Sequence, residues 1–329
     1  MNEADRPFSM NGLPWTSASI AEAGSQIRQG GHIGFTFGFE ALEHLFELDR
    51  QVFSRRPDLG LQVWTVADKK SYSDEELQAL ASLRHVRKLE ISLAQARVIS
   101  PLMQLDLAAL TLKGGKSVSL DFLPALKNLS TLELYGDFCG LEALADCHSL
   151  QSLYTGGAKI ATAELLDSLP DLSALTLDSC TAPENLAVLN HRGLKALFLS
   201  SLRKLDTLDA LADFSGLEVL KIHGAPHLQK LPSLANMAAL KHLELKRLKV
   251  WDNPEVLQSL PSLETLVLEE INTHLQAERF SFLPTLPCLS RIDFRTIDWG
   301  KRRRAQLEAI FLAAGKIHLI EPDTEAAGE

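Results

Sequence analysis

Residues 123–134 read LPALKNLSTLEL, with Leu123, Leu126, Leu129, Leu132 and Leu134 spaced as L-x-x-L-x-x-L-x-x-L-x-L. The last three leucines sit at the spacing of a short strand buried on one face, and the proline-bearing run before them suits a tight turn. The phrase returns at Leu257, Leu260, Leu263, Leu266 and Leu268. A pattern recurring at one period means one supersecondary unit stacked on copies of itself.

Counted on its fourth position, the phrase falls at Trp64, Leu89, Leu110, Leu132, Leu153, Leu175, Leu197, Leu220, Leu243, Leu266, Ile292 and Ile317. The steps are 25, 21, 22, 21, 22, 22, 23, 23, 23, 26 and 25 residues. Steps of about 20 to 29 are those of leucine-rich repeats, and the chain resembles that family, in its short-repeat, bacterial or phosphatase-regulator-like form. The resemblance covers residues 59–320, about 12 rungs, and Phe35 marks one more rung before them. It implies an α/β fold: a right-handed solenoid with a parallel concave β-sheet and short helical turns on the convex side, its handedness that of almost all parallel crossovers.

One departure concerns the fifth residue after each anchor, where the family carries Asn or Cys. Here the positions run Asp137, Ala158, Cys180, Leu202, Ala225, Leu248 and Ile271, and only Cys180 fits. Backbone amides there need other partners, because buried unpaired groups are costly, so irregular turns are expected.

Before the repeats, residues 1–58 read as an arm and cap. Residues up to about 30 lack periodicity and carry Pro7, Gly12, Pro14, Gly24, Gly30 and Gly31 as breakers. His32–Phe37 alternates as a strand, and 40–55 carries an amphipathic helical stripe. Ser73 to Glu76 forms a capping box for a full helix, and Asp298 is placed to cap a second containing Leu307, Ile310 and Phe311. The arm and the last helix are expected to cover the two sheet edges. Residues 321–329 read as an acidic disordered tail.

Composition bounds the function. Hydrophobic residues make up 46% of 329 and charged residues 23%, as in an ordinary folded protein. The formal net charge of −9 argues against sequence-independent nucleic-acid binding, which needs a basic surface. MNEADRPF has no signal-peptide character and no run suits a spanning helix, so a cytoplasmic protein with no membrane contact is expected. Cys139, Cys147, Cys180 and Cys288 show no C-x-x-C pairing and read as reduced core thiols.

Between the inward leucines, side chains point to the other sheet face, which is where the family binds its partners. Tyr135, Tyr154 and Phe198 fall there in the middle repeats, and exposed aromatics on a rigid face anchor protein interfaces. The plainer alternative is packing within the pleat. Asp178, Lys221, His223, Glu244, Lys246, Glu269 and Arg295 form a mixed-charge continuation, for which cross-strand ion pairs that keep the face soluble are the plainer alternative. Strands about 4.8 Å apart over twelve rungs would span roughly 50 to 60 Å, room for a small domain or long peptide, with no small-molecule substrate implied.

Lys301, Arg302, Arg303 and Arg304 form a basic run that would suit an acidic partner or remain a solvated helix face. Enzyme signatures are missing. His223 and His242 lie on adjacent rungs about 13 Å apart along the strands, too far to share a metal. No H-E-x-x-H or G-x-S-x-G occurs, GGHIGFTFG at 30–38 lacks the Lys of a phosphate loop, and no cofactor is implied. The expected role is non-catalytic recognition of another protein, in its sharpest form as an inhibitor or immunity-type partner. The alternatives are a bacterial effector or adaptor acting on a host protein and a scaffold subunit of a larger assembly.

Overall fold

Inward rows of leucine and isoleucine build the sheet. The computed structural model describes residues 6–12, 14–66, 71–93, 98–115, 118–158, 168–180, 193–294 and 296–320. They fall in two compact units, one through Ala158 joined by Ser168–Asp171, and one from Leu172 onward. The first holds β1 (Ser9–Asn11), α1 (Ser17–Gln26), β2 (His32–Phe37), α2 (Leu42–Leu48), β3 (Gly60–Thr65), α3 (Asp74–Ala81), β4 (Lys88–Ser92), β5 (Ala109–Lys113), β6 (Thr131–Tyr135) and β7 (Ser152–Gly156). The second holds β8 (Ala174–Asp178), β9 (Ala196–Ser200), β10 (Val219–His223), β11 (His242–Lys246), β12 (Thr265–Glu269), β13 (Arg291–Phe294) and α4 (Thr296–Ala313). Within each unit the strands pair in chain order and parallel, the architecture of a right-handed leucine-rich-repeat solenoid.

The register follows the leucines. Leu89, Leu110, Leu132 and Leu153 pair in succession in the first unit, as do Leu175, Leu197, Leu220, Leu243, Leu266 and Ile292 in the second. All are buried. On the other side of the core the chain returns through 3-10 turns, such as Ser100–Gln104, Leu123–Ala125, Pro254–Ser259 and Leu283–Thr285. Each of these four has proline in its first two positions, where a missing N–H costs nothing.

At both ends of the repeat series the register departs from the count by three residues. In β3 it is Leu61, not Trp64, that pairs with Leu89, and Leu61 and Val63 continue the rows of Ile33 and Phe35. Trp64 instead lies over β2, where a Cβ on Gly34 would meet its ring at 2.7 Å. The last bridge joins Ile292 to Ile320, while Ile317 begins a 3-10 turn.

The turns after the strands are regular, contrary to the expectation from the missing asparagines. The fourth residue after the anchor has positive φ at Gly136, Gly157, Ser179, Ser201, Gly224, Arg247 and Glu270. Its amide extends the ladder: Gly136 N donates to Gly156 O at 2.7 Å, Ser201 N to His223 O at 2.8 Å and Arg247 N to Glu269 O at 2.9 Å. The fifth position, freed from that work, is buried and apolar at Ala158, Leu202, Ala225, Leu248 and Ile271.

Among its described residues the arm is not irregular. It contributes α1 and the edge strand β1, paired to β2. Trp15 is fully buried and its indole N–H donates to Gly34 O at 2.9 Å. The Asp49 carboxylate, also buried, accepts from the amides of Arg84, His85 and Val86 and so ties the helical segment after β2 to the loop before β4. α3 starts with the expected capping box, Ser73 N donating to the Glu76 carboxylate at 2.8 Å and Glu76 N to Ser73 Oγ at 3.2 Å. α4 begins before Asp298 and breaks at Gly300 (φ 66°, ψ 148°), and the Asp298 side chain assigned as its cap lies outside the described ones. The acidic tail at 321–329 lies outside the described residues. No helix among the described residues is long and apolar enough to cross a membrane.

Candidate recognition face

Strands such as β4, β6 and β10 alternate buried anchors with partly exposed interleaved residues, while in β11 and β12 the central interleaved residue, Glu244 or Val267, is itself buried; the open sheet face of each unit is made of these interleaved positions. Two arrangements occupy it, one in each unit.

In the first unit Tyr135 and Tyr154 form a pair, ring centroids 4.6 Å apart and planes tilted by 34°. Tyr135 is 37% exposed and Tyr154 half-buried. Lys113 on β5 lies over the Tyr135 ring, 5.7 Å from its centroid, and its ammonium pairs with Glu90. Glu90 also accepts from Gln62 at 2.7 Å. Glu133, opposite Tyr154 across the β6–β7 pairing, accepts from Thr111 Oγ1 at 3.2 Å and from the Tyr135 hydroxyl at 3.4 Å. Alternation alone identified the tyrosines; Glu133 and Lys113 stand on interleaved positions too, and their part in the patch follows from side-chain direction.

In the second unit Phe198 pairs with a histidine. Its ring meets the edge of His223, centroids 4.6 Å apart at 73°, and His223 leads into a polar network centred on Glu244. Glu244 is only 7% exposed. Its carboxylate takes Lys246 at 2.6 Å, His223 at 3.0 Å, Lys221 at 3.2 Å and His242 at 3.5 Å, while Lys246 also reaches Glu269 at 3.1 Å. Burial raises the Glu244 pKa, but hydrogen bonds from Lys246 and Lys221 outweigh it and hold the carboxyl down at about 2. Burial lowers the His223 pKa against the opposing pull of Glu244, so His223 stays neutral near pH 7 and donates through Nε2. The two histidines that strand spacing holds apart thus converge on one carboxylate. Lys221, Glu244, Lys246 and Glu269 are joined as ion pairs, and neutral His223 joins them by a hydrogen bond. Asp178 stands half-exposed at the end of β8, and Arg295 lies outside the described residues.

Other sequence candidates are placed differently from expectation. Cys139 and Cys288 are exposed rather than in the core; Cys147 and Cys180 are buried, and none of the four is in a disulfide. Burial pushes the Cys147 thiol up to about 11, the opposite of an activated nucleophile. Arg303 and Arg304 in the basic run turn to backbone carbonyls, Arg303 to Leu275 at 2.9 Å and Arg304 to Phe294 at 3.0 Å. They anchor α4 more than they offer charge. Among the described residues no group of three or more His, Cys, Asp or Glu could hold a metal ion.

The chain is similar to an internalin, inlF, from Listeria monocytogenes, with TM-score 0.50 and 20% identity over 74% of this chain and 69% of that one. This is a leucine-rich-repeat fold. The leucine-rich-repeat chain is also similar to an LRR protein of Leptospira interrogans (TM-score 0.46, 20% identity, 73% of this chain and 67% of that one). A plant peptide hormone receptor, RGFR1 in complex with RGF2, matches with TM-score 0.45 and 16% identity over 80% of this chain and 47% of that one. No family model and no curated protein matches the sequence.

Proposed function

We propose that this leucine-rich-repeat protein recognises another protein, without catalysis, through the concave face of its sheet. The observation that carries this reading is the Tyr135–Tyr154 pair, two stacked aromatic side chains left partly in solvent on the open face of rigid strands. Large amphipathic rings held this way lose little conformational entropy on binding, which is why they dominate interface energetics. The Glu244 network supports the reading from the other direction: its charges satisfy one another, so it serves as a stiff, soluble floor. Cysteines outside disulfides fit a cytoplasmic, reducing compartment.

Affinity capture from the native cell, followed by binding measurements with the purified captured protein, tests the reading. Tyr135→Ala with Tyr154→Ala should lose at least about tenfold in affinity, as removal of a central aromatic pair does. A folded double variant that binds as tightly as wild type would overturn it. Within this reading the finer role is that of an inhibitor or immunity-type partner, which predicts a one-to-one complex whose partner is blocked. A scaffold role predicts several proteins held at once, and an effector or adaptor role predicts a host target.

A further inference from the structure

We propose that the Tyr135–Tyr154 patch takes an arginine side chain from a basic segment of the partner. The assignment rests on the recognition reading above and names what that face holds.

The patch is shaped for a planar group. A Cβ at Gly156 would come within 2.9 Å of the Tyr154 hydroxyl oxygen and 3.0 Å of its Cε1, so the ring lies across the space that the strand glycine leaves open. Tyr135 lies against it, ring centroids 4.6 Å apart and planes tilted by 34°, so the pair presents one compact aromatic surface. Guanidinium groups stack on such surfaces because they are flat, delocalised and weakly hydrated. Lys113, 5.7 Å above the Tyr135 ring, already shows a cation settled on this π-surface.

The charge is complementary as well. Lys113 and Glu90 neutralise each other. Glu133 remains: half-buried, opposite Tyr154, and supported by the hydroxyls of Thr111 and Tyr135, which bring no charge. Among the described residues no cation pairs with it. One uncompensated carboxylate beside two aromatic rings favours a single cation over an anion such as a phosphate. A carboxylate can accept both arms of a guanidinium fork, whereas an ammonium offers only a point charge. A metal ion would need more ligands than one carboxylate and two hydroxyls. The acidity of the whole chain, −9, attracts a basic segment in the same sense.

The chain has three tyrosines, and Tyr72 is buried, so 3-fluorotyrosine labelling supplies two reporters and an internal control. The full chain is titrated with the capped peptide Gly-Ser-Arg-Ser-Gly while fluorine resonances are followed. Tyr135 and Tyr154 should shift together with millimolar affinity, and Tyr72 should not move. Replacing arginine by citrulline, or Glu133→Gln in the protein, should each weaken binding about tenfold, the value of a hydrogen bond to a charged group. The unmoved Tyr72 resonance checks that the variant is folded. Equal binding of the citrulline peptide, unchanged affinity in Glu133→Gln, or no shift at either surface tyrosine would each overturn the assignment. If Glu133→Gln keeps the captured partner at full strength while the double tyrosine variant releases it, the arginine assignment falls and the recognition reading stands.

Discussion

Glu244 is where the energetics of the second unit concentrate on a single side chain. Its folded pKa is depressed to about 2 from the ordinary 4.5, so its contribution is complete above pH 4.5 and drains away as pH falls towards 2. Glu244→Gln should therefore melt lower than wild type at pH 7, by about 3 kcal/mol, since it leaves Lys221 and Lys246 beside a neutral group. The gap should close by about pH 2, where wild type carries a protonated carboxyl as well. Thermal melts of both proteins at several pH values check this; a gap that does not change with pH would mean the charge contributes nothing. Sequence position indicates that Glu244, Lys221 and Lys246 share a face. It is silent on which of them is the hub, because that depends on side-chain direction across three strands.

At the scale of the element, the turn after each strand is the informative part. Seven rungs carry a left-handed residue in the same place, filled by glycine at Gly136, Gly157 and Gly224 and by larger residues at Ser179, Ser201, Arg247 and Glu270. Glycine at these places is not equivalent. At Gly224 the nearest atoms to an added Cβ are 3.7 Å away, so Gly224→Ala should cost only the left-handed penalty, about 1 kcal/mol. At Gly136 an added Cβ would lie 1.9 Å from Gly114 O, so Gly136→Ala must push strands apart and should cost several times more. Chemical denaturation of the two variants measures the difference; equal losses would show that φ alone decides. Leucine spacing located the strands from Leu89 to Ile292 and missed the register only in LQVWTV and at Ile317. Both are stretches with two apolar phases, and pairing with a neighbouring strand, outside any local pattern, selects one. The turns were misjudged because asparagine is one way to satisfy the backbone there, and a left-handed residue that extends the ladder is another.

For the whole molecule, net charge and an open sheet face set how a partner arrives. With a charge of −9, association with the captured partner should slow as salt rises from about 50 to about 500 mM, while dissociation changes less. Stopped-flow mixing over that range tests it, and an association rate indifferent to salt would remove electrostatic steering from the mechanism. The sequence by itself determined the repeat, the parallel order of strands and which residues turn inward, because a continuous apolar row must recur at the length of one turn of the solenoid. Only the tertiary structure decided who meets whom on the open face: Tyr135 with Tyr154, Phe198 with His223, and four polar side chains with Glu244. Most of these contacts join residues some 20 positions apart in the chain, and each depends on the space its neighbours leave. A glycine at 156 and a carboxylate at 133 acquire their meaning only when the strands that carry them lie side by side.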